Sequence, residues 1–466
     1  MKKIDVCYII SHGFTMRMVT QTNLLGKLTD KDLNVAVISP DKSDPYLRSY
    51  CFERNIELFE LNETNKLKNQ TYLNKRKYFL EDIDKNPALL EKHKHAVLFN
   101  KAKNPMRHIL PRYYYMIYKL IKKFPVIREK FIQNETRNIS SKLAEELLNK
   151  IKPKKLISMY PVNQLESSLL SAGNKIDEIQ TWIHLLSWDN ISCKGHFPQL
   201  ADKYMVWGDI MKEELIEYYN IEEKSIFKCG VPHFDLYNQT SESDVKEVMD
   251  SLGIIESDSV LLFAMSSPRF APREIDIVEW LADKVSKGEF KKECTLLVRP
   301  HPQNMTKSMG DISWLDRLEK LNKYDRVIVD YPKLNESKLD WSMRLEDMKR
   351  LVVCVKCSSI VINTCSTISI EGLLSKKPVI LTAFDGDEHL PYWISARRMI
   401  DFNHLSKLVS LGGITVSKNY EEFQDSISEY LKNKGLRLKE RNLTINRQIV
   451  DSLDYTNEVV KVLSSN

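Results

Sequence analysis

Along the whole chain, short apolar runs alternate with longer stretches whose apolar residues recur at helical spacing. In the first half the apolar runs are 4–10 (IDVCYII), 34–39, 155–159, 179–186, 203–207 and 226–229. Helical period marks 15–29, about 70–98, 112–123, 136–150 and 209–219. A polar stretch at 238–247 (NQTSESDVKE) interrupts the pattern, which restarts with runs at 259–265, 294–299, 326–331, 358–363 and 378–383. Near-continuous apolar strands separated by helices indicate parallel sheets covered on both faces. The predicted fold is α/β, with two Rossmann-like domains facing each other across a cleft. The first spans 1–240 and carries a helical, basic insertion at about 65–150. The second spans 241–430, and the helices of 431–466 are expected to pack back on the first.

Sheets of this kind bind ligands at the carboxyl ends of their strands, so the chemistry is sought just after the apolar runs. In 362–381 (INTCSTISIEGLLSKKPVIL), Ser366 and Thr367 open a helix after a buried strand and form an anion site suited to a diphosphate. Glu371, one turn on, is placed to accept hydrogen bonds from ribose hydroxyls. A plain cap explains Ser366 or Thr367 but leaves Glu371 without a part. In 296–304 (LLVRPHPQN), two prolines stiffen the strand end that presents Arg299 and His301, a pair able to neutralise a leaving diphosphate without metal. Ser266, Ser267 and Arg269 in FAMSSPRFAPRE add a weaker phosphate-facing loop, with Arg273 behind it. The first half contributes SHGFTMR at 11–17 and WIHLLSWDN at 182–190. Here Asp189 is the candidate base or nucleophile, and His12 the second choice. Asp385-Gly386-Asp387 could hold a metal but reads equally as a loop turn, so no metal site and no cofactor are assigned. Cys354–Cys357 lacks a second pair at zinc spacing, and neither GxGxxG nor a P-loop occurs.

Composition and charge narrow the field. The 466 residues fit two or three domains, at about 150 residues each. Hydrophobic residues make up 42%, enough for sizeable cores, and glycine is only 14 residues, which excludes glycine-rich low-complexity proteins. The net charge of +6 hides a local +8 in residues 101–130, so everything else sums to −2. That distribution excludes a uniformly basic nucleic-acid binder. From Pro111, apolar residues Tyr113, Ile117, Leu120 and Phe124 share one helical face, with Arg112, Lys119, Lys122 and Lys123 largely elsewhere. This is the form of a helix lying on an anionic membrane. An apolar N-terminal run too short for a signal peptide, and eight scattered cysteines, point to the cytoplasm, peripherally on the inner face of the membrane.

The segment 187–237 pairs SWDN with a later VWG, an amphipathic helix and a G-x-P-x-F-D ending at Gly230, Pro232, Phe234 and Asp235. Together with RPHP and NTCSTISIEGLLSKKPVI, it resembles GT-B glycosyltransferases of bacterial surface-polysaccharide (capsule or lipopolysaccharide) assembly. The donor half is similar to CDP-glycerol glycerophosphotransferases and bacterial polysialyltransferases. The resemblance covers about 180–400 and implies that His301, Ser366 and Thr367 hold donor phosphates. It implies a metal-independent transfer of a sugar from a nucleotide-sugar donor to a hydroxyl of a glycan or lipid-linked acceptor. The alternatives are a CDP-polyol phosphotransferase, a sugar-nucleotide epimerase and, from another class, a membrane-assembly scaffold.

Overall fold

The computed structural model describes residues 3–62, 75–136, 139, 141–290, 293–305, 313–334, 339 and 343–465. It divides into two compact units, the first chiefly Met1–Asp235 and Ile449–Asn466, the second Leu236–Asn335 and Met343–Gln448. The expected boundary near 240 thus falls at Asp235. Of the terminal stretch 431–466, only the part from Ile449 joins the first unit.

The first unit holds a seven-stranded parallel sheet of β1 (Val6–Ile9), β2 (Val35–Ser39), β3 (Glu57–Glu60), β4 (Lys155–Ser158), β5 (Gln180–His184), β6 (Lys203–Val206) and β7 (Ile226–Lys228), in the order 3-2-1-4-5-6-7. The second holds a six-stranded parallel sheet of β8 (Ser259–Ala264), β9 (Cys294–Arg299), β10 (Val327–Val329), β11 (Ile360–Asn363), β12 (Val379–Thr382) and β13 (Thr415–Ser417), in the order 10-9-8-11-12-13. In each, the chain reverses direction across the sheet beside its first strand, β1 or β8. The carboxyl ends around that switch point are where such folds bind ligands. The central strands are fully buried, as a sheet covered on both faces requires. Phe263, Val298, Ile362 and Ile380 pack with Trp314 and Phe423 in one core, and Ile9, Ile38, Leu156 and Leu169 in the other. The edge strands β3 and β13 interrupt no apolar run and were not expected.

The helix expected over 15–29 is two, Gly13–Thr20 and Leu24–Thr29, parted at Asn23, whose φ of 56° ends the first turn series. Gly230 explains part of the G-x-P-x-F-D segment. At φ 68°, a Cβ there would lie 2.2 Å from the Tyr455 ring. Asp235 then accepts from the backbone N–H of Tyr455 (2.6 Å) and Thr456 (3.0 Å), capping the helix Tyr455–Ser465. That segment anchors the C-terminal helix to the first unit.

Candidate functional site

In the second unit, the loops after β8, β9 and β11 are laced together. Glu274, fully buried, accepts from the Ser266 N–H (2.6 Å) and from Thr364 Oγ1 (2.5 Å). Burial pushes its carboxyl up to about 7, opposed by those hydrogen bonds. Asn304 Nδ2 donates to the Ser266 carbonyl at 3.3 Å, and Ser266 Oγ lies 3.8 Å from Cys365 Sγ. Beside these contacts, Ser267 Oγ and Asn304 Oδ1 are buried with no hydrogen-bond partner among the described residues. Such orphaned polar atoms mark a place where a polar ligand fits. Glu274 is the residue the sequence did not disclose. It reads there as one acid at a helix start.

His301 is half-buried, and its Nδ1 accepts from the Gln303 N–H at 3.1 Å. In the neutral ring the proton therefore sits on Nε2, which is a donor suited to a phosphate oxygen. Ser366 donates its N–H to Asn363 Oδ1 (2.9 Å), and its Oγ only grazes the Ile368 N–H at 3.4 Å. Thr367 occupies the cap of the helix Ile368–Leu374 without a side-chain cap bond. Glu371 receives the Tyr237 hydroxyl on Oε2. Gly372, next to it, lets the helix lie on the sheet: a Cβ there would stand 3.0 Å from Val379 Cγ2.

One residue of this edge stands differently from expectation. Arg299 is only 5% exposed, and its guanidinium bridges Asp330 and Asp347 (2.7 Å to the latter). Two carboxylates from the fold already balance that charge, so Arg299 braces β9 instead of facing a phosphate. Arg269 is exposed, and its loop is tethered by Arg398, a buried side chain that donates to the carbonyls of Phe270 and Arg269. Asp385 is buried and accepts from Ser395 Oγ and from the Ala396 N–H (2.8 Å), which makes it a loop brace. Cys354 and Cys357 reach separate partners, Asp330 Oδ2 and the Cys354 carbonyl. Among the described residues, no group of three or more His, Cys, Asp or Glu gathers as for a metal ion.

In the first unit, β1, β4 and β5 deliver a second cluster. Glu166, fully buried, accepts from Ser11 Oγ, Ser158 Oγ (2.7 Å) and the backbone N–H groups of Met159 (2.8 Å) and Tyr160 (2.6 Å). Burial raises its pKa, opposed by these four hydrogen bonds. Ser11 Oγ, spending its hydrogen on Glu166, must accept at its 2.9 Å contact with His12 Nδ1. His12 therefore carries its proton on Nδ1 and presents the Nε2 lone pair. Burial, then the Arg17 charge, lower its pKa to about 4, so the ring is neutral at pH 7. Tyr160 lies beside it, ring centroids 5.1 Å apart. Asp189 is drawn into a 2.8 Å ion pair with Lys194 and accepts from Ser187 Oγ at 2.6 Å. That carboxylate is thus engaged by a neighbouring cation and hydroxyl, whereas His12 is held neutral.

The basic segment forms the helices Pro87–Lys103, Ile109–Ile121 and Pro125–Thr136. Tyr118 anchors the middle helix, stacking on Tyr78 (5.4 Å) and meeting Phe79 edge-on (4.7 Å). Its opposite face is apolar and open: Ile109, Tyr113, Met116 and Leu120, continued by Met106 and Phe124, are each at least half exposed. Ile117 is half-buried and lies off this face. Arg112 and Lys123 are exposed, and Lys119, though exposed, pairs with Asp84. Lys122 departs from the expected membrane set: it is half-buried, and burial together with Arg128 lowers its pKa to about 8. Among the described residues, no helix is long and apolar enough to cross a membrane.

Two Rossmann-like units with ligand-ready carboxyl edges define a GT-B-type α/β fold. Residues 196–389 match the family described as CDP-Glycerol:Poly(glycerophosphate) glycerophosphotransferase. The chain is similar in fold to a glycosyltransferase from Rickettsia africae ESF-5 (14% identity, 100% of each chain covered, TM-score 0.50). It is also similar to a putative UDP-N-acetylglucosamine 2-epimerase from Listeria monocytogenes (11% identity, 100% of this chain and 96% of that one, TM-score 0.55). The S. aureus MnaA–UDP co-structure matches likewise (11% identity, 98% and 95% covered, TM-score 0.55). No curated protein matches the chain. On this fold, the family match over 196–389 supports a transferase enzyme.

Proposed function

We propose that the chain transfers a sugar from a nucleotide-sugar donor to the hydroxyl of a glycan or lipid-linked acceptor. The observation that carries this reading is the neutral His12 after β1 of the first unit, with its Nδ1 against Ser11; taken by itself, the second unit offers an Nε2–H donor at His301. The donor diphosphate would lie at His301, Ser366 and Thr367, with Ser267 and Asn304 supplying their unpartnered atoms, Arg269 at the rim and Glu371 toward the ribose. Nucleotide-bound relatives of the same fold, such as the S. aureus MnaA–UDP co-structure, are consistent with that choice. In the transfer, His12 Nε2 takes the proton of the acceptor hydroxyl as its oxygen bonds to the anomeric carbon. The bond from that carbon to the phosphate oxygen breaks, and the nucleoside diphosphate leaves against the His301 donor. Asp189, as the partner of Lys194, orients that neighbourhood.

The apolar face at Ile109, Tyr113, Met116 and Leu120, flanked by Arg112, Lys119 and Lys123, is proposed to rest on an anionic membrane on the cytoplasmic side. Cations beside an open apolar stripe are the complement of acidic headgroups over acyl chains. A second reading, transfer of a phosphoryl-alcohol from a CDP-linked donor, is favoured by the family match over 196–389. The two differ in the bond broken. Sugar transfer from a nucleoside-diphosphate sugar releases the nucleoside diphosphate, whereas phosphoryl-alcohol transfer from a CDP donor releases CMP, as does a CMP-sugar, so a donor screen read by released nucleotide and product mass separates them.

A further inference from the structure

Two polar side chains buried at the carboxyl edge of the second unit limit what can bind beside its phosphates. Asn304 is 1% exposed and Ser267 2%. Asn304 Nδ2 donates to the Ser266 carbonyl at 3.3 Å, which fixes the amide, since turning it over would set its oxygen against the carbonyl oxygen. Asn304 Oδ1 is therefore an acceptor, and neither it nor Ser267 Oγ has a hydrogen-bond partner among the described residues. Both side chains stand at one peptide, because the carbonyl that Asn304 touches is the one joining Ser266 to Ser267.

That peptide is pinned from two sides. Glu274 holds the Ser266 N–H at 2.6 Å and also receives Thr364 Oγ1 at 2.5 Å, from the loop after β11. The Asn304 N–H bonds to the His301 carbonyl at 2.8 Å, so His301 and Asn304 are tied through the short turn Pro302–Met305. Their side chains have opposite polarity: His301 offers an Nε2–H, and Asn304 a lone pair. A phosphate oxygen suits His301 but, being an acceptor itself, leaves Asn304 Oδ1 unmet, which is costly for a buried atom. A hydroxyl meets both orphaned atoms, giving its hydrogen to Asn304 Oδ1 and accepting one from Ser267 Oγ.

We infer that Asn304 and Ser267 are specificity-determining residues that bind a sugar hydroxyl of the nucleotide sugar, next to the phosphates proposed at His301. The inference rests on the donor-side reading of the second unit and adds the group that this site selects. Two sources share the chemistry, the ribose and the transferred sugar.

The test titrates the full chain calorimetrically with UDP-, GDP-, CMP- and CDP-linked sugars. It is then repeated with deoxy analogues of the tightest binder, each lacking one ribose or sugar hydroxyl. Removing one particular hydroxyl should weaken binding to the wild type about tenfold. Asn304→Ala should bind the parent compound about tenfold more weakly and no longer tell it from that analogue. Ser267→Ala, which leaves the Asn304 bond to Ser266 in place, should lose the same discrimination. A decisive hydroxyl on the transferred sugar assigns that source, and one on the ribose assigns the other. The inference is overturned if no single hydroxyl matters to the wild type, or if either variant still discriminates against the analogue as the wild type does. If none of the four nucleotide sugars binds the wild type, the donor-side reading itself falls and takes the inference with it.

Discussion

The chain Glu166–Ser11–His12 shows how one buried carboxylate sets the chemistry of an imidazole it does not touch. With the Ser11 hydrogen committed to Glu166, His12 keeps its Nδ1 proton and its Nε2 lone pair. An ordinary histidine base, near 6.5, loses activity through mild acid, but one held at about 4 stays neutral. The expected result is a kcat/KM that stays level from pH 8 to about pH 5.5. His12→Gln should lower kcat by about 10²–10⁴-fold, with donor affinity retained in a binding titration. Ser11→Ala, which frees the tautomer, should lower kcat with little change in KM. Arg299 makes a contrasting prediction. Arg299→Met leaves Asp347 buried without its cation, while Asp330 keeps Arg350, and should cost about 3–5 kcal/mol in a denaturant melt. From sequence, Arg299 and His301 look alike, two polar residues at a strand end. Only folding brings in Asp330 and Asp347, from 31 and 48 residues away, to claim the arginine. Glu166 was invisible for the same reason: its partners come from the ends of two strands, β1 and β4.

At the scale of elements, the central strands and the Ser366–Thr367 helix start were legible because burial on both faces leaves continuous apolar runs. The edge strands β3 (ELFE) and β13 (TVS) were not, since an edge strand meets solvent and carries polar residues. The basic helix was legible as amphipathic, yet its apolar residues were assigned to one face where the fold uses two. Tyr118 is buried against the aromatic cluster, and Ile109, Tyr113, Met116 and Leu120 face outward. The membrane reading therefore belongs to the outward face. Replacing Met116 and Leu120 with Gln should release the chain from anionic vesicles in a sedimentation assay. Replacing Lys122 with Gln should leave binding unchanged, because that ammonium is half-buried. Vesicle binding that ignores Met116 and Leu120 would contradict this assignment.

For the whole molecule, histidines set the pH range of stability. His12, His93, His184 and His196 are each lowered to about 4, and His233 further, in every case first by burial. Each binds a proton more readily unfolded than folded. The unfolded chain therefore gains protons first as pH falls below about 6.5, and stability is lost from there down toward pH 4. The slope is about 1.4 kcal/mol per pH unit for each histidine fully engaged. Melting temperature should fall steeply between pH 6.5 and 5 and stay nearly flat from 7 to 8. The charge that averaged to +6 resolves, in the fold, into an outward apolar stripe flanked by cations. The central claim is that a nucleotide-sugar bound by the second unit gives its sugar to a hydroxyl activated by His12. The most direct measurement follows nucleotide release and product mass with UDP-, GDP-, CMP- and CDP-linked donors, in the wild type, His12→Gln and His301→Gln. The account predicts a glycosylated acceptor, with the sugar's own leaving nucleotide released and the product lost in both variants. CMP released from CDP-glycerol with a glycerophosphate added, or a donor epimerised without any acceptor, would contradict it.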